Sequence, residues 1–213
     1  VCPPEYYERA RAAMGAWDEP PPPDDVPLHP WYADWAARLE ADRITMEQLK
    51  TARAAYAGLI SLTDAYIGRI MEAARLLPGD TWIVYVSDHG DMAGDRGMFW
   101  KRNMLEGALR VPMIWYPLAQ SEGAGLQSGV EADVPVSLLD LAPTFAAIAG
   151  APELPLQDGW NLSPFLFGGT KALPGEEIDG SSPSGAWSAA WKERPIFAEL
   201  AHPQDGIIRA VVR

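Results

Sequence analysis

The chain of 213 residues is 48% hydrophobic and 22% charged, enough apolar material for a sizeable core and too little charge for wholesale disorder. Its formal net charge of -12 and pI near 4.6 exclude an ordinary nucleic-acid binder, because phosphate contacts need clustered Lys and Arg. Cys2 is the single cysteine, which excludes an internal disulfide, and no apolar run reaches the roughly 18 residues that a membrane-spanning helix needs.

Residues 1–43 read as a Pro-rich surface segment with a short helix near Glu5–Met14. The run "EPPPPDDVPLHPWY" favours extended polyproline geometry. The opening "VCPPEYYE", with no initiator Met and no basic or apolar leader, is expected to lie inside a longer protein, so the compartment stays open.

Ile44 to Leu77 is the clearest helix. Thr45 and Gln48 form the capping-box pattern at its start, and Pro78-Gly79 stops it. Apolar or small residues recur at helical spacing at Leu49, Ala52, Tyr56, Ile60, Thr63, Ile67, Ile70 and Ala74. That stripe is expected to face the core. A break at Gly58 is compatible with the pattern.

"TWIVYVS" (Thr81–Ser87) and "VPMIWY" (Val111–Tyr116) are β-branched and aromatic without clean alternation, as in strands buried on both faces of a parallel sheet. Helix, strand, loop and strand in that order predict an α/β layered fold. "VSLLDLAPTFAAIAG" predicts a helix capped by Asp140, with Pro143 in its first turn and Gly150 at its end. A helical turn is expected at Leu162–Phe167. Ser121–Ala132 and Gly175–Ala186 read as Gly-rich or Ser-rich polar loops. "RPIFAEL" and "GIIRAVVR" read as two closing strands, and no internal repeat is present. The organisation expected is a core over residues 44–168, with a loop and closing strands over residues 169–213.

The chemistry gathers where the first strand ends. Ligand groups in open α/β sheets collect just past the carboxyl ends of strands. Asp88 and His89 sit there, and Gly90 lets the chain turn sharply. A carboxylate and an imidazole make a reasonable metal-ligand pair. The structural reading of the same pair is a turn-capping Asp beside a surface His. Lys101, twelve positions past His89 in "MFWKRNM", carries an ammonium suited to an anion. Asp91 and Asp95 either support the site or are polar loop residues. Arg96 and Arg102 read as surface charges.

These residues carry a resemblance. "VSDHGDMAGDRGMFWKRNMLEGALRVPMI" is similar to the metal-binding stretch of the sulfatase family, within the alkaline phosphatase superfamily. The matching positions are Ser87-Asp88-His89-Gly90, then Gly94 and Gly97, then Lys101, then the run from Glu106 and Gly107 to Arg110, Val111 and Pro112. "VSLLDLAPTFAAIAGAPELPLQDGWNLSPFLFGG" resembles the next block of the family, a D-x-x-P-T helix followed by a D-G-x-S/N-L segment.

The resemblance implies an alkaline-phosphatase-like α/β fold with a mainly parallel sheet between helices, present here only in part. It implies hydrolysis of small-molecule sulfate monoesters by a formylglycine nucleophile and a divalent cation. Asp88 and His89 would be two of the metal ligands, and Lys101 would contact the sulfate. Calcium is the expected ion; the nitrogen ligand leaves manganese as an alternative, since calcium prefers oxygen.

Several features depart from the family pattern. "CPPEY" has Tyr6 where the C/S-x-P-x-R motif needs Arg, so Cys2 reads as a packing residue and the nucleophile is expected outside this chain. Asp24 and Asp25 follow a Pro run and read as solvated loop. His29 reads as loop, and His202 as a turn between the closing strands. By itself the chain is therefore expected to be inactive. A phosphonate or phosphate monoester hydrolase of the same superfamily and a non-catalytic acidic α/β interaction module are the two rival readings.

Overall fold

The computed structural model describes residues 1–15, 29–79, 81–118, 131–132, 134–152, 155, 157–166, 171–173, 176–177, 189–202 and 206–212. The chain divides into two units. One comprises Val1–Leu77 and Ile83–Trp115, the other Pro78–Trp82 and Tyr116–Arg213.

The first unit is built on three helices, α1 (Pro4–Ala13), α2 (Pro30–Arg38) and α3 (Met46–Ala74), on the single-turn helix α4 (Glu106–Leu109), and on the greater part of β1 (Trp82–Val86) and β2 (Met113–Pro117). The capping box at the start of α3 forms as expected: Gln48 N donates to Thr45 Oγ1 at 3.2 Å, and Thr45 N donates to Gln48 Oε1 at 2.9 Å. The helix runs unbroken through Gly58. There α1 lies so close that a Cβ would come 2.6 Å from Cys2 Sγ and 3.0 Å from the Tyr6 carbonyl oxygen. Cys2 is thus a packing residue of the α1–α3 contact.

The buried face of α3 carries Leu49, Arg53, Ala54 and Gly58. The stripe expected to be core lies mostly open instead, with Ile60 50% and Ile70 61% exposed. Helical spacing identifies an apolar face but does not say whether anything covers it. The segment expected to be irregular contains α2. Its N-cap is His29, whose Nδ1 accepts from Trp31 N at 3.2 Å, and Pro30 begins the first turn. The expected solvated pair, Asp24 and Asp25, lies outside the described residues, as does most of the Ser121–Ala132 loop and of the Gly175–Ala186 loop.

β1 and β2 are hydrogen-bonded neighbours. Leu118 N donates to the Thr81 carbonyl at 3.0 Å, which sets the end of β2 beside the start of β1, an antiparallel placement. β1 is half-buried along its length and β2 alternates, with Ile114 and Tyr116 open to solvent. Burial on both faces, expected for these strands, is therefore not met within the described residues. One core cluster of this unit gathers on α2: Met92, Met98 and Ala108 pack on Trp35, and Trp31 stacks on Trp35 with ring centroids 5.6 Å apart.

The second unit holds α5 (Leu141–Ile148), α6 (Ser163–Leu166), β3 (Lys171–Leu173), β4 (Glu176–Glu177), α7 (Ala189–Lys192), β5 (Ile196–His202) and β6 (Gly206–Val212). The two closing strands expected from the sequence pair antiparallel in unbroken register, from Ile196 with Val212 to His202 with Gly206. β3 and β4 also pair antiparallel. Among the described residues the strands thus form two-stranded sheets of antiparallel type, within an α/β architecture of the expected class. The parallel component expected of the sheet is not in these pairs.

Asp140 organises this unit. It does not cap α5 with its side chain, as the sequence suggested. It sits fully buried, and its carboxylate accepts four hydrogen bonds: from Ser137 N (2.8 Å), Trp160 N (2.7 Å), Arg194 Nη1 (2.7 Å) and Arg194 Nη2 (2.7 Å). Arg194 Cζ lies 4.3 Å from the Trp160 ring centroid. Thr144 Oγ1 donates to the Asp140 carbonyl and accepts from Leu162 N at 2.8 Å. A Cβ on Gly159 would meet the Leu139 carbonyl oxygen at 2.0 Å. The D-x-x-P-T and D-G-x-N-L motifs are therefore two halves of one packing arrangement.

Candidate functional site

The strand β1 ends in a turn that its own side chains shape. Ser87 Oγ donates to the His89 carbonyl at 2.8 Å, and His89 N donates to Asp88 Oδ1 at 3.0 Å. These bonds break the extended geometry and aim two consecutive side chains the same way. Asp88 Oδ2 and His89 Nε2 lie 3.4 Å apart, with the Asp88 side chain 85% and the His89 side chain 40% exposed.

The imidazole tautomer follows from its other contact. His89 Nδ1 lies 2.9 Å from the Gly90 carbonyl oxygen, which can only accept, so Nδ1 carries the proton. In the neutral ring this leaves the Nε2 lone pair facing a carboxylate oxygen. Two lone-pair donors held side by side fit a shared cation, and a carbonyl partner on the far nitrogen is the usual way a ligating imidazole is oriented. Among the described residues, no group of three or more His, Cys, Asp and Glu gathers around one point.

Two glycines set the turn against the chain that follows. Gly90 N donates to the Ala108 carbonyl at 2.9 Å, and a Cβ on Gly90 would fall 2.1 Å from the Gly107 carbonyl oxygen. The glycine of S-D-H-G and that of E-G-x-x-R-V-P are thus opposite sides of one close backbone approach.

Between them the loop 91–101 closes on itself. Met92 N donates to the Trp100 carbonyl at 2.9 Å and Gly94 N to the Met98 carbonyl at 2.8 Å. Asp91 Oδ1 accepts from Ala93 N at 2.8 Å and from Trp100 N at 3.2 Å. Asp91 is therefore a loop-building residue. The closure returns the chain to Asp91 and Met92 immediately before Lys101, which is exposed and makes no ion pair among the described residues.

Sequence reasoning missed Arg53. It extends from the buried face of α3, with its side chain 7% exposed. Its Nε donates to the Ala93 carbonyl at 2.8 Å, and its Nη2 to Asp95 Oδ1 at 2.5 Å. A charged residue off the apolar stripe reads as solvated, and no local pattern reveals a partner in a loop 42 residues away. His29 is an N-cap remote in role from this turn, and His202 is the last residue of β5, paired with Gly206.

A family model described as Sulfatase matches residues 3–151. The chain belongs to the sulfatase family. Curated relatives include arylsulfatase K of Danio rerio, 32% identical over 142 residues, covering 65% of this chain and 26% of the relative. Choline-sulfatase of Rhizobium meliloti is 36% identical over 137 residues, covering 62% and 25%. The chain thus spans about a quarter of the length of these curated sulfatases.

Among solved structures, phosphonate monoester hydrolase of Agrobacterium radiobacter is similar with a TM-score of 0.57 and 28% identity, covering 76% of this chain and 29% of that one. A phosphonate monoester hydrolase from Silicibacter pomeroyi gives a TM-score of 0.61 at 23% identity, covering 95% and 45%, and speaks for the fold alone. The expected sulfatase membership and alkaline-phosphatase-like fold class are both borne out. No helix among the described residues is long and apolar enough to cross a membrane.

Proposed function

We propose that this chain contributes part of the active site of a metal-dependent sulfuric ester hydrolase. Asp88 and His89 are two ligands of a divalent cation, and Lys101 contacts the sulfate group of a small-molecule sulfate monoester. The observation that carries this reading is the 3.4 Å approach of Asp88 Oδ2 to His89 Nε2, with the other imidazole nitrogen committed to the Gly90 carbonyl.

When bound, the cation supplies Lewis-acid neutralisation of charge on the sulfate oxygens. Calcium is the ion proposed, and the imidazole donor makes manganese the alternative. Lys101 adds a point positive charge toward an anion within a chain whose net charge is -12. That local cation matters because the overall field repels the substrate. Two protein ligands leave a coordination shell incomplete, so the remaining ligands and the formylglycine nucleophile are assigned to other parts of the whole protein.

The similarity to phosphonate monoester hydrolases favours one second reading, hydrolysis of a phosphonate or phosphate monoester by the same cation and lysine. A substrate panel on the whole protein decides between them. Turnover of a sulfate monoester in preference to a phosphonate monoester, lost with Asp88→Ala, supports the sulfatase reading. Preference for the phosphonate ester overturns it, and full activity in Asp88→Ala removes the ligand assignment.

A further inference from the structure

We propose that Arg53 is a positioning residue for the anion-binding loop: from α3 it fixes the apex of residues 91–101, and through that the placement of Lys101. This deepens the hydrolase reading above and rests on it for the role of Lys101.

The loop does not adopt its path by intrinsic preference. Ala93 (φ 47), Arg96 (φ 54), Trp100 (φ 63) and Arg102 (φ 70) are non-glycine residues in the left-handed region, and Gly94 and Gly97 share it. L-residues avoid that region because Cβ crowds the following carbonyl, so four of them in ten residues require outside support. Two supports come from α3. Leu49 packs under Gly94, where a Cβ would lie 2.3 Å from its Cδ1. Arg53, one turn on, holds the Ala93 carbonyl and the Asp95 carboxylate together.

The chemistry of Arg53 separates positioning from simple packing. A guanidinium with 7% exposure is retained only if its donors are matched, and an apolar side chain would fill the space without that demand. Its fork spans two acceptors two residues apart at the loop's tip, which a lysine ammonium on a flexible stem does not reproduce.

The turn that carries the metal ligands has supports of its own. Asp88 and His89 are held by Ser87, by the Gly90 carbonyl and by the Gly90–Ala108 bond. Loosening the apex therefore disturbs the lysine end of the loop and spares the ligand end.

The test compares Arg53→Lys and Asp95→Asn with wild type in the whole protein. Amide exchange is read over 91–101 and over β5–β6, Mn2+ affinity by electron paramagnetic resonance, and inorganic sulfate affinity as competitive inhibition of ester hydrolysis. The expected result is faster exchange confined to 91–101, Mn2+ affinity held, and sulfate affinity lower by roughly 10- to 100-fold, the scale of a group misplaced by about 1 Å. Unchanged loop exchange and sulfate affinity in both variants overturns the proposal. So does a parallel loss of Mn2+ affinity, sulfate affinity and β5–β6 protection, which marks a purely structural role. If wild-type protein binds neither Mn2+ nor sulfate, the hydrolase reading and the Lys101 role fall together, while the exchange contrast still decides whether Arg53 holds the loop.

Discussion

Gly90 and Gly107 meet backbone to backbone: a Cβ on Gly90 would sit 2.1 Å from the Gly107 carbonyl oxygen, and the Gly90 amide bonds the next residue's carbonyl at 2.9 Å. The turn bearing Asp88 and His89 is thereby pressed onto the segment that leads into β2. Gly90 cannot be replaced without moving a main chain, because the obstructing atom is a carbonyl oxygen with no freedom to swing aside, whereas a Cβ on Gly107 would first meet the Met92 sulfur at 3.0 Å.

Gly90→Ala is expected to destabilise the protein by about 1–3 kcal/mol or more and to weaken metal binding with it, since relief of the clash displaces His89. Gly97→Ala is the control: its φ is +69, but no atom lies within 4 Å of the added methyl, so only local strain of about 1–2 kcal/mol is incurred. Thermal unfolding with a metal titration on both variants checks this. Equal metal affinity in the two would separate the glycine contact from the site.

Asp88→Ala and His89→Ala are each expected to lower divalent-metal affinity by roughly 100-fold or more, beyond the 10- to 100-fold typical of losing a residue that only orients a ligand. Lys101→Ala should keep metal affinity and lower kcat/KM for a sulfate ester by about 100-fold, the scale of one lost charge-stabilising donor. Calorimetric metal titration beside initial-rate kinetics on the whole protein separates the two classes. A Lys101→Ala variant with the wild-type rate would take that residue out of the site.

Arg194→Met leaves a fully buried Asp140 carboxylate without its guanidinium and is expected to destabilise by about 3–5 kcal/mol. With roughly 2–4 °C of Tm per kcal/mol for a chain of this size, the melt should fall by about 10 °C. A shift below about 2 °C in a thermal melt would mean that the bidentate pair contributes little.

Tyr56 supplies a pH signature. Burial raises its phenol pKa above the ordinary 10.0, and the neighbouring Asp91 carboxylate and Tyr85 raise it further. The folded state therefore holds this proton more tightly than the unfolded chain does. The resulting stability is complete below pH 10 and is lost as pH climbs through the raised folded-state value. Tyr56→Phe should flatten that alkaline loss. Denaturant midpoints measured either side of pH 10 check it, and identical slopes in both proteins would contradict it.

Much of the scaffold was legible locally. The capping box of Thr45 and Gln48 marked the start of α3, and the apolar runs marked β1, β2, β5 and β6 to within two residues. The turn at Ser87–Gly90 was legible for the same reason: Ser, Asp, His and Gly bond one another within it. Long-range partnerships were not. Asp140 ahead of a helix looks like a cap, and its partner Arg194 is 54 residues away. Arg53 lies off the apolar stripe of α3, so nothing in the spacing marks it as buried, while the more regular stripe through Tyr56, Ile60 and Ile70 drew the assignment of core. The α2 helix was hidden behind the proline run, although His29-Pro30 and the aromatics at 31, 32 and 35 supply its cap and its inner face.

The bare side of α3 shapes how this polypeptide behaves in a test tube. Isoleucines at 60 and 70 and a tyrosine at 66, all wet, form a greasy ridge along a rigid rod. Such a ridge promotes self-adhesion as protein concentration rises, and a dozen surplus negative charges counteract it only while salt is dilute. Acidic substitutions along the ridge are therefore expected to raise the solubility of the 213-residue polypeptide.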